Sequence, residues 1–143
     1  MTLLDAYALV ALVADEPAAA DVETLLRAGD SRVIATNLAE AIDVSQRVHG
    51  YPLEDVREAL EPLILAGDLE VVLSGEEEAW LAAELRARHY DPKRRPLSLA
   101  DCFLVAHGMT GEAVATPDPH LAEAARAEAV EVIGLPDSNG ERA

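Results

Sequence analysis

Short apolar runs alternate with longer amphipathic segments along the whole chain. Thr2-Leu3-Leu4-Asp5 is a short buried strand ending in an acid, and the Ala- and Leu-rich run Ala6–Ala14 is a helix. A second helix begins after Asp15-Glu16-Pro17, with acids and proline at its entry, and stops at Gly29. Arg32–Ala35 reads as a second strand, and Thr36 opens a helix that runs to His49 and is closed by Gly50. Pro52 starts the next helix, where Leu53, Val56, Leu60, Leu63 and Ile64 recur at helical spacing; Pro62 either kinks it or ends it early. Leu69–Leu73 is a third strand. Glu76–Tyr90 is a helix with acids in its first turn and Arg86, Arg88 and His89 in its last, as the helix dipole favours. After a loop containing Pro92 and Pro96, Ser98 opens a helix to His107. Ala113–Ala115 is a fourth strand, Pro119–Glu128 a helix and Val130–Ile133 a fifth strand.

Apolar strands separated by helices pair in parallel, with helices covering both faces of the sheet. The expected fold is therefore α/β, a three-layer α/β/α arrangement around a parallel five-stranded sheet. No repeat, linker or low-complexity run divides the chain, so residues 1–135 form one domain and the polar tail, residues 136–143, is expected to fray. In such sheets the chemistry lies at the carboxyl ends of the strands, near the point where the strand order reverses.

Composition narrows the function classes. The 11 Lys and Arg against 27 Asp and Glu give a net charge of −16, which argues against a sequence-blind nucleic-acid coat and against docking on anionic membranes. The longest apolar run is too short to span a bilayer, and no basic residue precedes it, so neither a membrane nor a secreted location is expected and the reading is cytoplasmic. The single cysteine, Cys102, lies in an apolar run and reads as a buried thiol.

The strand ends carry acids. Asp5 ends the first strand, Glu40 lies one turn into the helix after the second, Asp101 sits in the first turn of the helix opened by Ser98, and Asp118 follows the fourth strand. Each also has a structural reading. Ser98-x-x-Asp101 fits a capping box, Asp118-Pro119 fits an N-cap with proline at the first helical position, Asp5 could cap the following helix, and Glu40 could be a solvated helix acid. Asp5 stands out because it interrupts an apolar run, where an acid is costly. Four carboxylates at one sheet edge would repel each other unless a cation joined them, and hard oxygen donors select Mg²⁺ or Mn²⁺. No Cys-x-x-Cys or His-x-x-x-His supports a zinc site. Carboxylates and divalent ions suit phosphodiester hydrolysis by a metal-activated water.

Four segments, taken in order, carry a family resemblance: Leu3-Leu4-Asp5-Ala6-x-Ala8-Leu9, Thr36-x-x-x-Glu40, Leu97-x-Leu99-x-Asp101-x-x-Leu104-x-Ala106 and Ala115-Thr116-x-Asp118-x-x-Leu121. Together they resemble a PIN domain and, more narrowly, are similar to the VapC-type ribonuclease toxins of type II toxin–antitoxin pairs. The resemblance spans Thr2 to about Leu135. It implies a metal-dependent endoribonuclease, a homodimer and a cognate antitoxin that blocks the site. By position, Asp5, Glu40, Asp101 and Asp118 would be the catalytic and metal-binding quartet. Thr116 would place a hydroxyl beside the metal-bound water, and Thr36 would support the helix carrying Glu40. The chain departs from the pattern at Tyr7, where family members often have a small hydroxyl residue. That tyrosine either narrows the pocket, hydrogen-bonds a phosphate or packs in the core.

Five of the eleven basic residues, Arg86, Arg88, Lys93, Arg94 and Arg95, fall in one ten-residue window leading into Ser98 and Asp101. They read either as a phosphate-binding lip for RNA or as a favourable helix end followed by a solvated loop. His107 and His120 lie near the second half of the quartet, but a metal–water mechanism does not require them. Two other classes compete with the nuclease. A receiver-type phosphoacceptor domain would need an Asp ending the third strand and a Lys after the fifth, and the chain has neither. A catalytically inactive PIN-like interaction module would keep the fold without turnover.

Overall fold

The computed structural model describes residues 1–143. Five strands, β1 (Thr2–Leu4), β2 (Ser31–Ile34), β3 (Leu69–Val72), β4 (Ala113–Thr116) and β5 (Val132–Gly134), form one sheet in the order β3-β2-β1-β4-β5. Every pairing is parallel. The chain builds outward from β1 to β3, then returns to the other side of β1 for β4. The reversal of strand order therefore falls between the carboxyl ends of β1 and β4.

Seven helices cover the sheet: α1 (Ala6–Ala14), α2 (Ala19–Ala28), α3 (Ala35–Arg47), α4 (Leu53–Leu65), α5 (Glu76–His89), α6 (Leu99–Gly108) and α7 (Pro119–Ala127). Alternation along the strands divides the core into two. Leu4, Val33 and Ala115 point into one cluster with α1 to α4, while Leu3, Ile34 and Val114 point into another with α5 to α7. This is the expected three-layer α/β/α fold. Full burial of a leucine such as Leu3, Leu4 or Leu9 contributes about 1.5–3 kcal/mol each. At one point the layers touch through a glycine: a Cβ on Gly108 of α6 would lie 2.7 Å from Val130 Cγ1 and 3.0 Å from Val114 Cγ2.

Three local expectations change. Helix α3 begins at Ala35 directly from the strand, with Ile34 in the N-cap position and no side-chain cap, so Thr36 lies inside the helix rather than opening it. The fifth strand starts at Val132 instead of Val130, because the Val130 N–H bonds back to Ala125 O at the end of α7. The tail does not fray in the way its polarity suggested. Asp137 Oδ1 accepts bonds from the Asn139 and Glu141 N–H groups at 2.8 and 2.9 Å, and Arg142 donates to Asp21 at 2.7 Å and to Gly134 O at 2.9 Å. Helix α4 runs through Pro62 to Leu65.

Candidate metal centre

Asp5 leaves β1 at the N-cap of α1, yet its side chain makes no capping bond. It is 1% exposed. One carboxylate oxygen, Oδ2, accepts a 2.7 Å bond from the Thr116 hydroxyl, while the buried Oδ1 has no partner. The structural reading of Asp5 as a cap therefore fails, and a fully buried carboxylate oxygen is left without a partner among its neighbours. Those neighbours are acids: Asp5, Glu40 and Asp101 each present an oxygen within 4.8 Å of the others. At that separation one charged pair repels by about 3.5 kcal/mol at an effective dielectric of 20. Burial, followed by repulsion from Asp101, pushes the Asp5 carboxyl up to about 8, although the Thr116 bond opposes the shift. Burial, then Asp101, raises Glu40, and burial raises Asp101 against the restraint of its bonds to Ser98. A partly buried, oxygen-only donor set with an unpartnered buried oxygen fits a hard divalent cation.

The fold fixes the members of this set differently. Asp101 belongs to a capping box: Ser98 Oγ accepts from the Asp101 N–H at 3.0 Å, and Asp101 Oδ2 accepts from the Ser98 N–H at 2.9 Å. The structural and chemical readings of Asp101 thus hold together, with one oxygen caught in the cap and the other free. The Leu97–Ser98 peptide that holds Asp101 is itself gripped from behind, because Arg86 Nε donates to Leu97 O at 3.0 Å while its guanidinium stacks 4.3 Å from the Tyr90 ring centre. Glu40 is half-buried on α3 and less constrained. Asp118 stands outside the close trio. Its Oδ1 caps α7 by accepting from the His120 N–H at 2.8 Å, yet it is near enough to raise both Asp5 and Asp101.

Thr116 is more tightly engaged than its sequence role implied. It donates to Asp5 and accepts from the Asp118 N–H at 3.0 Å, so it ties the β1 and β4 ends together. Thr36 is exposed, and its hydroxyl lies 3.5 Å from Asn37 Oδ1. Asn37 was missed by the sequence reading. It is fully buried with its Nδ2 unpartnered, one turn before Glu40 on the same side of α3. The only signal was an amide at that i, i+3 spacing. Tyr7 is not core: it is 47% exposed, and burial together with the nearby acids raises its hydroxyl pKa.

The basic window is not gathered at the acids. Arg88 bonds Glu128 at 2.6 and 2.8 Å, His89 meets the same carboxylate at 2.7 Å, and Arg95 joins His89 to Glu123. Glu128 is at the far end of α7 from Asp118, about 15 Å along the helix. Arg86 is committed to Leu97. Lys93 and Arg94 are exposed, and only their backbone N–H groups are engaged, by Asp91. His107 is buried, and its Nε2 lies 2.9 Å from Ser74 Oγ.

A family model for the PIN domain matches residues 2–127. The chain belongs to the PIN-domain family. Solved structures share the PIN domain's fold. A toxin–antitoxin complex from Klebsiella pneumoniae is 16% identical over 82% of this chain and 87% of that one, with a TM-score of 0.58. FitAB bound to an IR36 DNA fragment is 19% identical over 93% and 94%, with a TM-score of 0.60. FitAcB from Neisseria gonorrhoeae is 24% identical over 93% and 96%, with a TM-score of 0.61. No curated protein matches this PIN domain by sequence. No helix in it is long and apolar enough to cross a membrane.

Proposed function

We propose that this PIN domain is a divalent-metal-dependent endoribonuclease, the toxin of a toxin–antitoxin pair, acting in the cytoplasm as a homodimer. PIN domains are generally nucleases. The observation that carries the reading is the buried Asp5 carboxylate, with one oxygen unpartnered and two further carboxylates within 4.8 Å. Asp5, Glu40 and Asp101 would hold Mg²⁺ or Mn²⁺, with Asp118 completing the set from the β4 end. When bound, the ion supplies a low-pKa water and neutralises charge at the phosphoryl oxygens. The chain supplies position. Thr116 fixes Asp5, the Ser98 cap fixes Asp101, and Glu40 is the member free to adjust. Lys93 and Arg94, the cations without an intramolecular partner in the basic window, would meet RNA phosphates. The toxin role, and with it an antitoxin partner, is supported by similarity in fold to a toxin–antitoxin complex.

The test uses purified chain and structured RNA with Mn²⁺ or Mg²⁺, repeated with chelator and with Asp101→Asn. Cleavage lost in both controls is the expected result. Cleavage that survives both would remove the carboxylate mechanism, and no cleavage of any RNA would favour the inactive interaction module.

A further inference from the structure

Beside the carboxylates the surface opens into a cleft of about 430 Å³, bounded by the α1–α2 turn, the end of α3, the β4–α7 turn and the folded-back tail. Tyr7 and Asp118 line it; Tyr7 follows Asp5 by two residues and Asp118 follows Thr116 by two, so the cleft begins beside the acid cluster. Three prolines, Pro117, Pro119 and Pro136, give it rigid walls. The Tyr7 ring, 47% exposed, is the one aromatic face in it. The tail wall is held in place by Asp137 and Arg142 through the bonds described above.

The polar groups in this cleft have one bias. Glu16, Asp118 and Asp137 are acceptors, and the sole basic group, His49, lies 3.6 Å from Glu16. Such a lining repels a phosphate. It suits a neutral planar group that stacks on tyrosine and offers hydrogen-bond donors to carboxylates. Among nucleobases, guanine places two adjacent N–H donors on its pairing edge, whereas uracil offers one N–H between two carbonyls.

We propose that this cleft receives a single unpaired guanine of the RNA, stacked on Tyr7 and read by the carboxylates of Glu16 and Asp137, next to the phosphate that approaches the acid cluster. The proposal rests on the nuclease reading for its biological meaning, but binding of the base can be measured without cleavage. A bidentate contact to the correct base is worth about tenfold or more in discrimination, and stacking on an aromatic ring is a comparable contribution lost when the ring is removed.

The experiment titrates guanosine and uridine separately into the isotopically labelled, metal-free chain and follows amide shifts. Guanosine should shift Tyr7, His49 and Ser138 and bind at least about tenfold tighter than uridine. Tyr7→Phe should retain the preference, and Tyr7→Ala should lose most of the binding. Equal binding of the two nucleosides, shifts elsewhere, or an undiminished response in Tyr7→Ala would overturn the proposal. So would a Lys/Arg-rich peptide that shifts these residues where guanosine does not, which would reassign the cleft to a protein partner. Metal-dependent RNA cleavage with no guanosine response would remove the base site and leave the nuclease. Guanosine binding without cleavage of any RNA would leave the base site and remove the nuclease.

Discussion

Replacing Asp5 by Asn should stabilise the metal-free protein, and the gain should depend on pH. The native carboxyl titrates at about 8, against 3.8 for an ordinary Asp. Between those values the folded chain keeps a proton on Asp5 that the unfolded chain has released, so stability falls as pH rises. Below about pH 4 both states are protonated and the cost is absent; above about pH 8 it is fully present. Each unit of displacement corresponds to about 1.4 kcal/mol, which sets a ceiling of about 6 kcal/mol. Burial is the largest cause of the displacement, and local relaxation with water entry returns part of its cost, so the expected gain at pH 8 is about 2–4 kcal/mol. Asn is nearly isosteric and its carbonyl can still accept from Thr116. The assay is urea unfolding with chelator at several pH values between about 4 and 8.5, the window set by the two titration points. A variant no more stable than the parent at the alkaline end, or a gain that does not change with pH, would refute the argument. Saturating Mg²⁺ or Mn²⁺ should cancel most of the gain, because an ion at about one hundred times its Kd adds about 2.7 kcal/mol to a chain that binds it, and the variant binds it less well.

Thr116→Val removes the donor to Asp5 and the acceptor for the Asp118 N–H, and should cost about 2–3 kcal/mol in urea unfolding while raising the Asp5 carboxyl further, as read by carbonyl-carbon NMR. Gly108→Ala forces a methyl against Val130 and Val114 and should destabilise by about 1–3 kcal/mol, with Val130→Ala added in the same chain recovering much of the loss in a thermal melt. Arg86→Met leaves the Leu97 carbonyl unheld and should weaken Mn²⁺ binding severalfold by calorimetry without loss of fold by circular dichroism, and Arg86→Lys should restore only part of the affinity because it lacks the stacked, planar donor.

The fold was legible because its strands are short, apolar and separated by helical patterns, and because Leu3-Leu4, Val33-Ile34 and Val114-Ala115 supply one residue to each face. Boundaries moved where backbone bonding overruled side-chain signals: Val130 was claimed by the end of α7, and Ala35 entered a helix without a capping side chain. At the site, Asp5 could be singled out because burying a lone acid within an apolar run costs free energy that packing alone does not return. The positions of Asp101 and Asp118 were legible for two reasons at once, as caps and as candidate ligands. Only the three-dimensional arrangement separates Asp101, close to Asp5 and Glu40, from Asp118, turned to its cap. What sequence spacing could not reveal was pairing across the chain. The cations near Ser98 look free until Glu123 and Glu128, 28 and 40 residues from their partners, are seen beside them. The tail looked free for the same reason, since Asp21 is 121 residues from Arg142 in the sequence.

The sheet order also sets when the centre can come into being. Asp5 lies at the end of the first strand made, but the neighbour of that strand on one side is β4, so Thr116 must have left the ribosome before Asp5 acquires its hydroxyl partner. At about 5–20 residues per second, more than about a hundred residues of growth separate the two by several seconds or longer. Until then Asp5 lacks its Thr116 donor, and before Asp101 emerges the close trio of oxygens cannot form. The centre is therefore a late product of the fold, completed only as the last third of the chain arrives.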